Sequence, residues 1–328
     1  MWNIIGHPQT LAFFEHVQSR KHLSHAYLFT GPAQVGKRTL ALAFAQAILC
    51  TTEQASPPDS PCGVCSACLK VQNSSHPDLS IILPDEGKKT VSIENIRAFV
   101  RATSLQPQEG QYRIFVLPNA ERLTLESLNT LLKTLEEPAP HTILLLTTVD
   151  EQLLPKTIAS RCQALPVGLV NDSDIETALV QRWDISPERA RKLSTLAAGR
   201  PGWAINASQH EELEEERTSW FQSMAALCES GPTQRLKIAA KLLHDTEKLD
   251  ELLSVWLIWW RELLLASEGY QPPASQENSQ RERFGRQVQP AEARRVIEHI
   301  QEAMRQLEQN ANPRMVLETL LLELPSLH

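Results

Sequence analysis

The stretch His25 to Cys50, HAYLFTGPAQVGKRTLALAFAQAILC, decides the architecture. A short apolar run reads as a strand and enters a loop that matches G-x-x-x-x-G-K at Gly31, Gly36 and Lys37. A helix rich in Ala and Leu follows. This is the context a phosphate-cradling loop needs, because backbone N–H groups and the positive end of a helix then face an anion. The next position, where a Ser or Thr hydroxyl would hold Mg²⁺, is Arg38, and Thr39 comes one residue late. A helix turns about 100° per residue, so Thr39 does not take over that role.

Working outward, further strands are expected at Leu79 to Leu83, Arg113 to Leu117, Ile143 to Thr148 and Gln163 to Val167. Helical patterns lie between them, notably Ser92 to Ser104, with Ser92 as N-cap, and Leu125 to Glu137, stopped by Pro138. Strands alternating with helices predict a mainly parallel sheet covered on both faces. In an ATPase of this kind the strand Arg113 to Leu117 ends in an acidic pair, one carboxylate for Mg²⁺ and one to polarise water. Here it ends in Pro118 and Asn119, neither of which can do that work. Glu121, Glu136 and Glu137 are nearby, and the simpler reading of all three is exposed helix carboxylates.

Length and composition set the frame around this domain. At about 100–200 residues per domain, a chain of 328 residues holds two or three. With 42% apolar and 22% charged residues, whole-chain disorder and fibrous architectures are excluded. The net charge of −7 excludes a protein that coats nucleic acid by bulk charge. That charge is uneven: up to Gly168 the 14 basic and 14 acidic residues cancel, so the whole excess of acid lies beyond. Leu252 to Ala266, the most apolar stretch, is interrupted by Arg261 and Glu262 and is too short to span a bilayer. The start, MWNIIGHPQT, has no secretory pattern. A cytoplasmic protein without membrane contact is expected.

Four of the six cysteines fall together, Cys50 and then Cys62, Cys65 and Cys68 in CGVCSAC. Overlapping C-x-x-C steps with a fourth thiol upstream can wrap one tetrahedral Zn²⁺, and the Pro- and Ser-rich TTEQASPPDSP between them lets Cys50 reach back. Structural zinc is the reading preferred. Disulfides, a redox dithiol and an iron–sulfur cluster are the alternatives, the last being the serious rival. Cys162 and Cys228 read as ordinary buried thiols.

Several of these segments together resemble the clamp-loader subunits of bacterial DNA polymerase III, delta-prime type, within the AAA+ class. They are WNIIGH (residues 2–7), the P-loop stretch, the cysteine cluster, NTLLKTLEEP (129–138), and LLLTT with LLPKTIASRCQ ending at Gln163. The match extends weakly into AAGRPGWAI (197–205). The resemblance implies an α/β AAA+ P-loop domain over 1–168 with a zinc module at about 50–70, a helical lid over 169–208, and an all-α collar over 209–328. It implies that Arg161, in Ser160-Arg161-Cys162, projects as a trans arginine finger into the ATP site of a neighbouring subunit. The plain alternative is a salt bridge at a strand entrance. Implied partners are tau/gamma and delta subunits in a hetero-pentamer, and the sliding clamp and primed DNA through that assembly. Gly202 stands where active relatives carry a lid arginine, and Arg200 is expected to face elsewhere on a helix. Thr147 or Thr148 remains on the sensor strand. Weak nucleotide binding stays open through Gly31, Gly36 and Lys37, while hydrolysis is expected to be absent. Two alternatives stand beside this reading: an active tau/gamma-type ATPase, and an unrelated zinc protein with a chance P-loop.

In the remaining sequence, helices are expected at Ile175 to Trp183, capped by Asp172 or Ser173, and at Glu188 to Ala198, opened by Ser186-Pro187. HEELEEERTSW (210–220) reads as a solvated acidic helix start. Helical periods continue through Gln234 to Leu243 and Glu251 to Ala266, with Trp256, Trp259 and Trp260 as core, as a helix interface, or as both. Tyr270 to Arg283 reads as a polar loop, followed by helices at Ala291 to Gln309 and Pro313 to Leu324.

Overall fold

The computed structural model describes residues 2–19, 23–52, 60–84, 91–243, 246–269, 284, 287–309 and 311–326. The loop expected at Tyr270 to Arg283 lies outside them. The chain divides into two compact units, Met1–Ser208 and Gln209–His328.

The first unit carries β1 (Ala26–Thr30), β2 (Leu79–Ile81), β3 (Arg113–Leu117), β4 (Thr142–Thr148) and β5 (Gln163–Pro166). All pairs are parallel and the order across the sheet is β2-β3-β4-β1-β5. The central strands are apolar almost without interruption because both faces are covered, and β3 and β4 are buried along their whole length. Period-two alternation then sorts the side chains. Tyr27, Phe29, Ile114, Val116, Ile143 and Leu145 pack on one side, against helices α1 (Pro8–Ser19) and α2 (Lys37–Leu49). Phe14 of α1 stacks on Phe44 of α2 with ring centroids 4.2 Å apart. Leu28, Phe115, Leu117, Leu144 and Leu146 face the other side. There they meet α4 (Ile93–Thr103), through Ile96 and Phe99, and α5 (Leu125–Glu136), through Leu128, Leu131 and Leu135. Each such fully buried side chain contributes about 1.5–3 kcal/mol.

Five further helices complete this unit: α3 (Ser66–Gln72) and α6 (Lys156–Ala159) in the connections of the sheet and, beyond it, the trio α7 (Asp172–Trp183), α8 (Pro187–Ala197) and α9 (Pro201–Gln209). Capping follows local chemistry: the Ser92, Thr124 and Ser186 hydroxyls accept the N–H of Asn95, Ser127 and Arg189. Two details differ from expectation. Helix α7 begins at Asp172 behind Asn171, so Asp172 and Ser173 lie inside its first turn, where the acidic residues Asp172 and Asp174 suit the positive helix end. Arg200 is not on a helix; it precedes Pro201, which starts α9 at the position where a missing N–H costs nothing.

The second unit is all helical: α10 (Glu211–Glu229), α11 (Pro232–Leu242), α12 (Leu249–Ser267), α13 (Pro290–Glu308) and α14 (Pro313–Leu322). Trp256, Trp259 and Trp260 on α12 are buried, and the Trp256 indole donates to Trp220 O at 3.3 Å. The tryptophans are therefore core of this unit. The buried Arg235 side chain donates to the carbonyls of Leu227, Leu321, Leu324 and Pro325, satisfying helix-end acceptors with a permanently charged donor. No helix among the described residues is long and apolar enough to cross a membrane.

Candidate functional site

Three sequence-predicted sites sit on the first unit, and the sheet places them differently. The P-loop follows the carboxyl end of β1. Gly31 approaches the neighbouring chain so closely that a Cβ there would lie 2.0 Å from Val167 O, and its N–H donates to Thr148 O at 3.2 Å. Gly36, with φ of 104°, caps α2 in the left-handed region.

Lys37 does not reach outward. Its Nζ donates to Gly31 O at 2.5 Å and Pro32 O at 2.7 Å, inside its own loop. Burial pushes its pKa down to about 8, against the pull of the Glu121 carboxylate. One oxygen of Glu121 is buried with no hydrogen bond from the described residues. Glu121 is thus a half-buried neighbour of the P-loop lysine rather than an exposed helix carboxylate, while Glu136 and Glu137 are exposed.

Two carbonyls of the loop also have partners within the chain. Gly202 N–H donates to Gln34 O at 2.9 Å, and a Cβ at Gly202 would press on the same carbonyl. His7 Nε2 donates to Val35 O at 2.8 Å, and burial lowers the pKa of that ring, outweighing the hydrogen bond. Arg182 of α7 holds the N-terminal segment through Asn3 Oδ1 and Ile4 O. The sensor-strand hydroxyls are also engaged: Thr147 Oγ1 accepts the Asn119 N–H at 3.0 Å and Thr148 Oγ1 donates to Asp150 O at 2.9 Å. An open cleft of about 320 Å³ lies at the carboxyl ends of β1, β4 and β5, and its charged lining residues are Asp150 and Glu151, which repel phosphate.

Arg161 lies at the other end of the sheet. Strand β5 is parallel to β1 with Gln163 opposite Tyr27 and Pro166 opposite Thr30. Arg161 precedes β5 while the P-loop follows β1, so at about 3.3 Å per residue they are separated by roughly 20 Å along the strands. Ser160-Arg161-Cys162 forms the turn after α6. Cys162 packs inward on the core, where burial raises its thiol pKa to about 12. Arg161 points the other way, with Nη2 2.8 Å from Glu136 Oε1 and Nη1 donating to Thr157 O at 2.8 Å. The salt bridge at the strand entrance, the plain alternative to a finger, is present, and the side chain still keeps 36% of its surface exposed.

The cysteines converge as their spacing implied. The Sγ atoms of Cys50, Cys62, Cys65 and Cys68 all lie within 4.8 Å of one another, with Cys50 to Cys65 at 3.9 Å and Cys62 to Cys68 at 3.8 Å. Four thiolates about 2.3 Å from one tetrahedral Zn²⁺ are separated by about 3.8 Å. These residues therefore fit a single tetrahedral ion; a multi-iron cluster places several atoms between its thiolates and needs a wider cage. Burial pushes the Cys65 thiol up, but N–H donors from Cys68 and Thr51 outweigh it and bring it down to about 5. The Thr52 hydroxyl and the N–H groups of Val64 and Cys65 lower Cys62, whereas burial raises Cys68. Gln46 of α2 donates to Cys68 O, and Lys70 pairs with Glu109 at 2.7 Å. Asp78, which sequence reasoning passed over, accepts the N–H groups of Gln108, Glu109 and Gly110 at 2.7–2.8 Å; these hold its carboxyl below the usual range despite burial. The cluster is thereby tied to the segment before β3.

Comparison with known proteins accords with the sheet domain. The family described as DNA polymerase III, delta subunit, matches residues 6–169. The DNA polymerase III subunit delta' of Bacillus subtilis is 32% identical over 210 residues, 64% of this chain and 61% of that protein. The subunit delta' of Pseudomonas aeruginosa is 36% identical over 163 residues, 49% of each chain. The tau subunit of Bacillus subtilis is 32% identical over 161 residues, 49% of this chain and 28% of that protein. The matched stretch thus spans less than two thirds of each of these relatives.

Proposed function

The chain belongs to the DNA polymerase III, delta subunit, family, and from that premise we propose that it is a delta-prime-type clamp-loader subunit that does not hydrolyse ATP and lends Arg161 to an ATPase beside it. The observation that carries the proposal is the placement of Arg161: it precedes β5, at the end of the sheet away from its own P-loop, with its side chain partly exposed. A side chain there serves an adjoining site or none. Guanidinium is permanently charged and forks onto phosphate oxygens, which suits charge developing on a transferred phosphoryl group.

The chain's own nucleotide machinery supports the same division of labour. β3 runs into Pro118 and Asn119, so neither position of the acidic pair holds a carboxylate, and the carboxylate beside the P-loop is that of Glu121, next to Lys37. Lys37 is spent on Gly31 and Pro32. In this reading residues 1–168 form the nucleotide-fold domain, 169–208 the lid and 209–328 the collar, and the partners are tau/gamma- and delta-type subunits, the sliding clamp and primed DNA. Cys50, Cys62, Cys65 and Cys68 hold structural zinc, which supplies a covalent-strength crosslink to the module at about 50–70 and no chemistry.

The test compares wild type with Arg161→Ala in ATP turnover by the reconstituted assembly with clamp and primed DNA. Turnover at the affected interface is expected to fall by roughly 10³-fold; unchanged turnover contradicts the proposal. The similarity to tau subunits over the P-loop half favours a second reading, an active ATPase. Magnesium-dependent turnover by the purified chain alone would select it.

A further inference from the structure

Arg161 is held by two groups from two different elements. Thr157, on α6, offers its carbonyl to Nη1, and Glu136, the last residue of α5, offers Oε1 to Nη2, both at 2.8 Å. Two anchors fix both the position and the plane of a guanidinium. The group has five N–H donors, so the two anchors leave others available, and the side chain as a whole keeps 36% of its surface exposed. Glu136 is itself half exposed, and ion pairs so open to water add little to folding stability. The contact therefore needs another explanation than stability. An unanchored arginine explores many rotamers, and that freedom is lost each time its fork must meet a phosphate.

We propose that Glu136 is the positioning residue for Arg161: it holds the guanidinium on the surface with its remaining donors turned outward, so that little ordering is left when a phosphate arrives. The inference rests on the finger role proposed above. It predicts that the acceptor oxygen matters more than the charge, because an amide oxygen can take the same N–H. The opposite idea, that the carboxylate masks Arg161 and must be displaced, predicts a gain on removing it.

The experiment measures kcat and KM for ATP in the reconstituted assembly carrying wild type, Glu136→Ala, Glu136→Gln, Arg161→Ala or the Glu136→Ala/Arg161→Ala double variant, each checked by thermal melting. Glu136→Ala is expected to lower kcat by roughly three- to tenfold with KM unchanged, Glu136→Gln to stay near wild type, and the double variant to match Arg161→Ala. If Arg161→Ala lowers turnover but Glu136→Ala leaves it unchanged, raises it, or adds its effect to that of Arg161→Ala, the positioning role is wrong and the finger role stands. If Arg161→Ala has no effect, the finger role fails first and the Glu136 role with it.

Discussion

The P-loop and the cysteine cluster are both motifs legible in sequence, yet the lysine of the loop is held by the loop's own carbonyls, whereas the thiols of the cluster face one another. In the loop, Lys37 Nζ donates to Gly31 O and Pro32 O, and the carbonyls of Gln34 and Val35 accept from Gly202 and His7. In the cluster, four thiols stand within 4.8 Å of one another, a spacing that could hold a metal ion. The difference teaches that a motif reports the shape of a site, while the partners its polar groups have found report whether the site still needs its ligand.

The largest expected effect is on the cluster. Cys65→Ser, or a chelator, should remove one zinc per chain and cost several kcal/mol of stability, roughly 3 kcal/mol or more, since metal binding is folding energy in such modules. Metal analysis and thermal melting check this; retained zinc, or an iron chromophore, would break the comparison. Millimolar Mg-ATP comes next. A ligand present at a hundred times its Kd stabilises by about 2.7 kcal/mol, which a small domain shows as several degrees in Tm. A P-loop whose lysine stays with Gly31 and Pro32 should show almost no shift, and a clear one would mean that the loop still takes nucleotide.

How far these sites could be read beforehand follows from the range of the interactions. Local chemistry was legible: β3 was expected as found, Ser92 and Ser186 cap their helices, and Pro313 starts α14. So was the convergence of the cysteines, because tight C-x-x-C spacing leaves few other geometries. What joins distant segments was not. Glu136 meeting Arg161, Gly202 meeting Gln34, and Asp78 gathering the N–H groups of residues 108–110 depend on how elements pack, and no periodicity encodes that. Arg200 was expected on a helix, but the helix α9 starts one residue later, at Pro201, whose ring suits a first helical position. Glu121 was misjudged because its burial comes from the adjoining loop rather than from its own short turn.

The smallest effect concerns the charge of Lys37. Its folded pKa of about 8 lies below its ordinary 10.5, so between these values the unfolded chain holds a proton that the folded chain has released. Stability due to this group therefore rises with pH across that window. Lys37→Met should flatten the rise, measured as Tm against pH from 8 to 10.5. A wild-type curve without the rise would mean that the lysine is solvated, and that the loop is open like an ATPase's.

The central claim sets a loop that has turned inward against an arginine that has not, and one assay compares them directly. ATP turnover is measured in the reconstituted assembly with this chain as wild type, Lys37→Met or Arg161→Ala. The account predicts that Lys37→Met leaves turnover at the wild-type level while Arg161→Ala lowers it. Loss of turnover with Lys37→Met and none with Arg161→Ala would contradict it.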